Sequence, residues 1–306
     1  MTTSAPPFVY RACGLTLASS FPIDGLLHSA GEADYQVRLA PVADTDFADA
    51  TTTASGSLLR ISSDSIAIRF PDATAIRIDN VARRIDVDAP AGATAEDTAT
   101  YLTGPMLALL CRAAGRVALH AAAVVVDGRA VLLCGLSEAG KSTAAAAFAR
   151  DGFDVLSDDV CAIDDAGETL LVLPAAPRVR LWPDSAALLY GEANALPPLT
   201  PTWGKLYLDL LDPPRFARAP VPVGALYLLG SGEAGVTALR GAEAIALLVG
   251  SSFFPECASV ESRRRDFEVA SRFVAQAPVA RIPARLAPDE LVARVVDDVR
   301  AKASGR

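Results

Sequence analysis

The segment Gly135-Leu136-Ser137-Glu138-Ala139-Gly140-Lys141-Ser142 fits the pattern G-x-x-x-x-G-K-[S/T], and its flanks constrain the chain more than any other feature. Ala130 to Cys134 is a short apolar run that reads as a buried strand, and Ser142 to Arg150 is an alanine-rich stretch that reads as a helix. Strand, glycine-bearing loop and helix in that order predict a site for a nucleoside triphosphate. Backbone N–H groups of the loop and the helix N-terminus would wrap phosphates, Lys141 would reach the β and γ phosphates, and the Ser142 hydroxyl would ligate Mg²⁺. The predicted nucleotide-binding residues are Gly135, Leu136, Ser137, Glu138, Ala139, Gly140, Lys141, Ser142 and Thr143. The competing reading, a glycine turn with an incidental Lys-Ser, leaves the matching strand and helix unexplained.

At 306 residues the chain exceeds a typical single domain, and an α/β core with an attached smaller module accounts for the length. Hydrophobic residues make up 51 %, yet no stretch of about 18 uncharged apolar residues occurs, so no membrane span is expected. The opening Met1 to Pro7 lacks a basic and then apolar leader, which points to a cytoplasmic protein. Cys13, Cys111, Cys134, Cys161 and Cys257 are odd in number, scattered and without a C-x-x-C pair, as suits reduced thiols. A net charge of −8 argues against an extended nucleic-acid surface. A homo-oligomer is compatible with the sequence but not specified by it.

Residues 1 to 100 carry short alternating runs, Leu58 to Ser62, Ser65 to Phe70 and Ala75 to Asp79, and predict a small, mainly β module. A linking helix is predicted over 96–114, with Leu102, Met106, Leu109, Leu110 and Ala113 at helical spacing and Gly115 as its cap. Residues 115–306 then read as one α/β unit in which strands and helices alternate. Its last helix, from Pro288 to Ala301, places Leu291, Val295, Val296 and Val299 on one face.

Asp127-Gly128 between two apolar runs is a strong signal for a two-residue hairpin. Counting back from Val126 opposite Arg129 puts His120 opposite Gly135, beside the phosphate loop; a strand-end histidine satisfied by backbone is the alternative. Ser157-Asp158-Asp159 follows a short apolar strand from Phe153, at a spacing from Lys141 that fits one helix, a Gly152 turn and one strand. An adjacent parallel strand ending beside the loop would bring a carboxylate to the Mg²⁺ shell, while a second carboxylate could orient or deprotonate a hydroxyl. A surface Asx turn is the plainer alternative. Asp164-Asp165, by contrast, reads as a simple hairpin turn.

Taken together, Leu119-His120-Ala121-Ala122-Ala123, the loop Gly135 to Ser142, Asp158-Asp159 and Pro177-Arg178-Val179-Arg180-Leu181-Trp182-Pro183-Asp184 resemble the C-terminal kinase domain of the HPr kinase/phosphorylase family. They are more closely similar to the HPr-kinase-related serine kinases of peptide-maturation systems, lasso-peptide pathways included. Arg11 to Leu15, Ser19 to Pro22 and Tyr101 to Pro105 extend the likeness over most of the chain. The resemblance implies an α/β P-loop kinase core of the HPr kinase and phosphoenolpyruvate carboxykinase type, preceded by the β module. No H-R-D or D-F-G set of the eukaryotic protein kinases is present.

The resemblance further implies ATP and Mg²⁺ as cofactors and an acceptor serine on a small protein or ribosomally made peptide. Lys141 and Ser142 would hold phosphates and metal, His120 would lie close to the transferring group, Asp158 would act as base and Asp159 would support Mg²⁺. Arg178 and Arg180 alternate with Val179, so both point to one face, where they can grip phosphate or pair with surface acids. Lys205 is a further candidate. The family's usual glycine is Glu138 here, a carboxylate that repels a triphosphate unless it points outward or meets Mg²⁺. The glycine-and-arginine signature of bifunctional members is not recognisable. A nucleotide-binding maturation partner without phosphotransfer, and a kinase of a small metabolite, are the competing functions.

Overall fold

The computed structural model describes residues 8–230, 235–283 and 286–304. The opening segment Met1 to Pro7, read above for its lack of a leader, lies outside them. Alternating apolar residues in the first third form nine strands: β1 Phe8–Ala12, β2 Leu15–Ser19, β3 Leu27–His28, β4 Tyr35–Leu39, β5 Thr51–Thr52, β6 Leu58–Ile61, β7 Ser65–Arg69, β8 Ala75–Asp79 and β9 Arg84–Asp88. They make one mixed sheet in the order β3-β1-β2-β4-β9-β8-β7-β6-β5, parallel at β2/β4 and β4/β9 and antiparallel elsewhere.

The helical stretch that follows is two helices, α1 Ala95–Leu102 and α2 Pro105–Ala113, instead of the single linking helix expected over 96–114. Pro105 has no N–H to continue α1 and sits in the first turn of α2, while Gly104 takes a non-helical conformation. Gly115, at φ +72° just past α2, supplies the left-handed stop that its position predicted. Leu102, Met106, Leu107, Leu109 and Leu110 are all buried to within 1 %. They are walled by Tyr10, Leu17 and Ile76 of the first sheet on one side and by Ala118, Val160 and Leu173 of the second on the other.

The remaining elements are β10 Val117–His120, β11 Ala122–Val126, β12 Arg129–Cys134, α3 Lys141–Arg150, β13 Val155–Ser157, β14 Val160–Asp164, β15 Leu171–Leu173, β16 Arg178–Leu181, α4 Pro183–Tyr190, β17 Leu206–Asp209, β18 Val221–Leu228, β19 Thr237–Leu239, α5 Gly241–Gly250, α6 Val260–Gln276, β20 Val279–Arg281 and α7 Pro288–Ala303. Strands outnumber helices here, so the expected alternation is only partial. The second sheet runs β10-β14-β15-β18-β12-β11-β13, with β20 beside β18 and β19 beside β20. Helix α3 packs with α7 over one set of its side chains, and α5 and α6 cover another. In that frame β12, buried at every position after Arg129, lies between β11 and a parallel β18. The chain is thus a mixed α/β protein with two large mixed sheets.

The Asp127-Gly128 hairpin forms as counted, with Val126 opposite Arg129 and Ala122 opposite Leu133. The count fails beyond that point. Residue 121 leaves the ladder, and His120 belongs to a separate strand where it pairs with Val160 instead of facing Gly135. Strand β13 also differs from expectation. It runs parallel to β12, but β11 lies between them, antiparallel to both.

Phe148 of α3 is fully buried, with its ring edge-on to Phe153 at 5.4 Å. Phe148→Ala should therefore cost about 3–5 kcal/mol of unfolding free energy, readable as a lower urea midpoint at unchanged slope.

Candidate active site

Four segments converge beyond the C-terminal end of β12: the loop 135–140, the turn between β13 and β14, the end of β10, and β16 with the start of α4. The loop is shaped by steric necessity. A Cβ on Gly135 would stand 2.8 Å from the Ala139 Cβ and 3.2 Å from the Leu229 carbonyl oxygen. Gly140 caps α3 at φ +91°, a conformation that side chains rarely adopt. Glu138 is also left-handed, at φ +65°, which costs a residue with a Cβ about 1–2 kcal/mol and accounts for glycine suiting this position. Its side chain is exposed, so water weakens the repulsion between this carboxylate and nearby phosphate.

Lys141 is buried at 8 % exposure, and its Nζ donates to the carbonyls of Gly135 (2.9 Å) and Leu136 (3.1 Å). Burial holds its pKa below the ordinary lysine value, against the pull of Asp159 and Asp158. Ser142 and Thr143 open α3, and the Thr143 hydroxyl lies 2.8 Å from that of Ser185 on α4.

Asp158 and Asp159 occupy the turn between β13 and β14 and differ sharply in environment. Asp158 is 7 % exposed, its Oδ2 accepts the Arg180 N–H at 2.8 Å, and its Oδ1 has no hydrogen-bond partner. Burial pushes its carboxyl up to about 6, against the Arg180 N–H and the nearby Ser142 hydroxyl. Burial would raise Asp159 as well, but the His120 ring and the charges of Arg180 and Lys205 outweigh it and leave that carboxyl below its ordinary value. His120 Nδ1 stands 3.0 Å from Asp159 Oδ1, close but off the line of a well-formed hydrogen bond. The backbone fixes the histidine: His120 N–H donates to the Ser251 carbonyl at 2.7 Å, and Phe253 meets the ring edge-on at 5.1 Å.

The two arginines of β16 part ways. Arg180 reaches the Thr103 hydroxyl at 2.5 Å and the Thr100 carbonyl at 3.2 Å, and it lines the same cavity as Lys141 and Asp159. Arg178 instead forms a bidentate pair with Asp24 at 2.7 and 2.8 Å and lies over the Tyr207 ring. That structural tie to the first sheet leaves it outside the Lys141 cavity. Lys205 does line the cavity, its Nζ 4.8 Å from the centre of the Trp182 ring. The enclosed space is about 690 Å³, with Lys141, Arg180 and Lys205 as its cations and Glu138, Asp158, Asp159 and Asp184 as its acids.

Sequence reasoning missed Thr100, Thr103 and Gly104. A Cβ on Gly104 would stand 3.2 Å from both an Arg180 nitrogen and an Asp159 oxygen, so the break between α1 and α2 makes room for the site. The Gly-Pro pair was the available signal.

The oxygen donors Ser142, Asp158 and Asp159 suit a hard cation, and the unpartnered Asp158 Oδ1 marks where one more contact is wanted. No group of three or more His, Cys, Asp or Glu able to hold a metal occurs among the described residues.

No family model and no curated protein matches the chain. Among solved structures it is similar to the Hpr(Ser) kinase/phosphatase from Coxiella burnetii, over 61 % of this chain and 98 % of that one, at 15 % identity and a TM-score of 0.36. A likeness that distant leaves the chemistry to be argued from the site itself, and nothing found supports the narrower likeness to peptide-maturation kinases. No described helix is long and apolar enough to cross a membrane.

Because Asp158 keeps its proton in the folded chain up to about pH 6 and the unfolded chain releases it near pH 4, stability should fall as pH rises across that window and level off above it. Asp158→Asn keeps an acceptor for the Arg180 N–H and removes the buried charge. In EDTA we expect it to be more stable than the parent at pH 7, by on the order of 1–3 kcal/mol, and to lose less stability than the parent between pH 4 and 6 in urea titrations, the fall that remains coming from groups such as the buried Asp266.

Proposed function

We propose that the chain is an ATP- and Mg²⁺-dependent kinase that transfers the γ-phosphoryl group to a serine hydroxyl on a small protein or ribosomally made peptide. The observation that carries this reading is the buried Asp158, with a free Oδ1 and a pKa raised to about 6, in one cavity with Lys141 and Ser142 of the glycine-bearing loop. A base serves best when its pKa lies near the working pH, and burial has brought this carboxyl there.

In this reading the loop N–H groups and the α3 N-terminus hold the phosphates. Lys141 exchanges the Gly135 and Leu136 carbonyls for phosphate oxygens, with Arg180 and Lys205 at the cavity wall to offset charge. Mg²⁺, held by Ser142 and Asp159, would neutralise charge on the phosphate oxygens. Asp158 Oδ1 accepts the proton of the acceptor hydroxyl as its oxygen bonds to phosphorus and the bond to the leaving diphosphate breaks. His120 sits beside Asp159 and orients that carboxylate. The first sheet, tied on through Arg178 and Asp24, closes the site from the side of α1 and α2.

The test is incubation with γ-labelled ATP, Mg²⁺ and serine-containing peptides. Lys141→Ala should abolish transfer with the fold intact, since it removes a phosphate-directed cation and no apolar contact. Asp158→Asn should lower transfer about 10²–10⁴-fold while nucleotide still binds, and Asp159→Asn should raise the Mg²⁺ concentration needed. Undiminished transfer by Lys141→Ala would overturn the assignment.

Glu138 separates a kinase from a site closed to nucleotide. With its side chain exposed, Glu138→Gly should relieve the left-handed strain and shift the calorimetric affinity for ATP·Mg²⁺ by no more than about threefold, whereas relief of a buried repulsion would be worth up to roughly 4 kcal/mol. A parent that binds nothing beside a variant that binds tightly would sink the kinase reading.

A further inference from the structure

The Lys141 cavity continues past His120 and Asp159 into a larger hollow of about 1120 Å³. His120, Ser137, Glu138 and Asp159 line both spaces, so an occupant of the hollow reaches the carboxylates that the phosphate side also presents. Besides the loop 135–139, Pro105 and the end of β18, three parts of the chain wall it: the turn at Thr53 to Ser55 with Phe70 from the first sheet, the end of α5, and the segment Phe253 to Pro255.

The chemistry of the walls is one-sided. Among the described lining residues no Lys or Arg occurs, and the carboxylates are Glu138 and Asp159, both at the end shared with the phosphate side. The rest is dominated by apolar groups, and Leu136 offers an 85 % exposed side chain from the loop. A small anionic acceptor would find no counter-charge here and would meet two acids. The volume also exceeds the roughly 300–1,000 Å³ typical of small-ligand pockets.

The far wall is held in place. Arg112 donates to the Phe253 carbonyl at 2.8 Å, Phe253 N–H donates to the Ala118 carbonyl at 3.2 Å, and Phe254 is kept at φ +52°, where a bulky residue is strained. An aromatic pair in which Phe253 is pinned to β10 beside His120 and Phe254 is held in a strained conformation is a prepared surface.

We infer that this hollow seats the acceptor, an extended peptide whose residues next to the acceptor serine are large, apolar and free of acidic side chains. The inference rests on the kinase reading and narrows it by excluding a small charged metabolite. Apolar side chains would bury against Phe254, Leu247 and Leu136, and the serine between them would project past Asp159 and His120 into the Lys141 cavity, which Asp158 lines.

The probes are three fluorescein-labelled seven-residue peptides with a central serine, flanked by leucine and phenylalanine, by glycine, or by aspartate. Anisotropy without nucleotide measures binding, and γ-labelled ATP·Mg²⁺ measures transfer. The apolar peptide should bind about tenfold or more tighter than the glycine peptide, and the aspartate peptide most weakly. Ala246 is exposed on α5 and lines the hollow. Ala246→Glu should weaken the apolar peptide by about tenfold or more with melting temperature and ATP affinity unchanged, and Ala246→Gln should weaken it less. Equal affinity for all three peptides, or indifference to Ala246→Glu, would overturn the inference. Equal label transfer to all three would also sink it while leaving the kinase reading standing. Tight, selective binding of the apolar peptide with no transfer to any would overturn the hollow as the seat of an acceptor and leave it a peptide-binding site.

Discussion

Two short joints between strands meet where the Ala121 N–H donates to the Asp159 carbonyl at 3.2 Å. The second sheet begins at β10 and ends at β13, yet β10 leads directly into β11 and β13 directly into β14. Only Ala121 separates β10 from β11, and only Asp158 and Asp159 separate β13 from β14, so the two ends of the strand order lie side by side, and this bond ties the two joints together. Ala121 keeps no place in a ladder, while its neighbours His120 and Ala122 pair with different strands. His120 precedes one joint and Asp158 and Asp159 form the other, so their meeting brings three polar side chains together at the rim of an apolar sheet.

The same arrangement separates two neighbouring carboxyls. Asp158 turns inward, keeps a single N–H donor and is raised by burial; Asp159 meets His120 and the charges of Arg180 and Lys205 and is lowered. Adjacent groups driven apart in this way are how a site divides proton transfer from charge stabilisation. Arg180 links them, since its backbone serves Asp158 and its side chain, steadied by Thr103, serves the field around Asp159. Both environments depend on the break at Gly104-Pro105, where a continuous helix with a side chain at residue 104 would press on Arg180 and Asp159.

Much of this was legible in the chain. Hydrophobic period and turn residues predicted β6 to β8, the Asp127-Gly128 hairpin, β12 with α3, and the amphipathic α7, because each is decided by residues a few places apart. The loop from Gly135 to Ser142 was legible for the same reason, its glycines answering to one close contact and one left-handed turn. The candidate carboxylates and His120 were also visible as residues, as was Lys205, though the roles proposed for them await the experiments above.

What the sequence determined, then, is everything set by neighbours along the chain: the strand–loop–helix unit, the β-rich first third and the identity of the polar residues available for chemistry. Tertiary structure alone decided which of them meet. The hairpin count carried His120 to Gly135 because nothing local marks residue 121 as the place where one ladder stops, and β11 came between β12 and β13 because strand order is settled by long-range pairing. Arg178 and Arg180 are equivalent in the sequence, two arginines on one face of a strand. They diverge because Asp24, 154 positions away, captures one, while Thr103 and the gap left by Gly104 receive the other, and contacts across such separations leave no trace in local pattern.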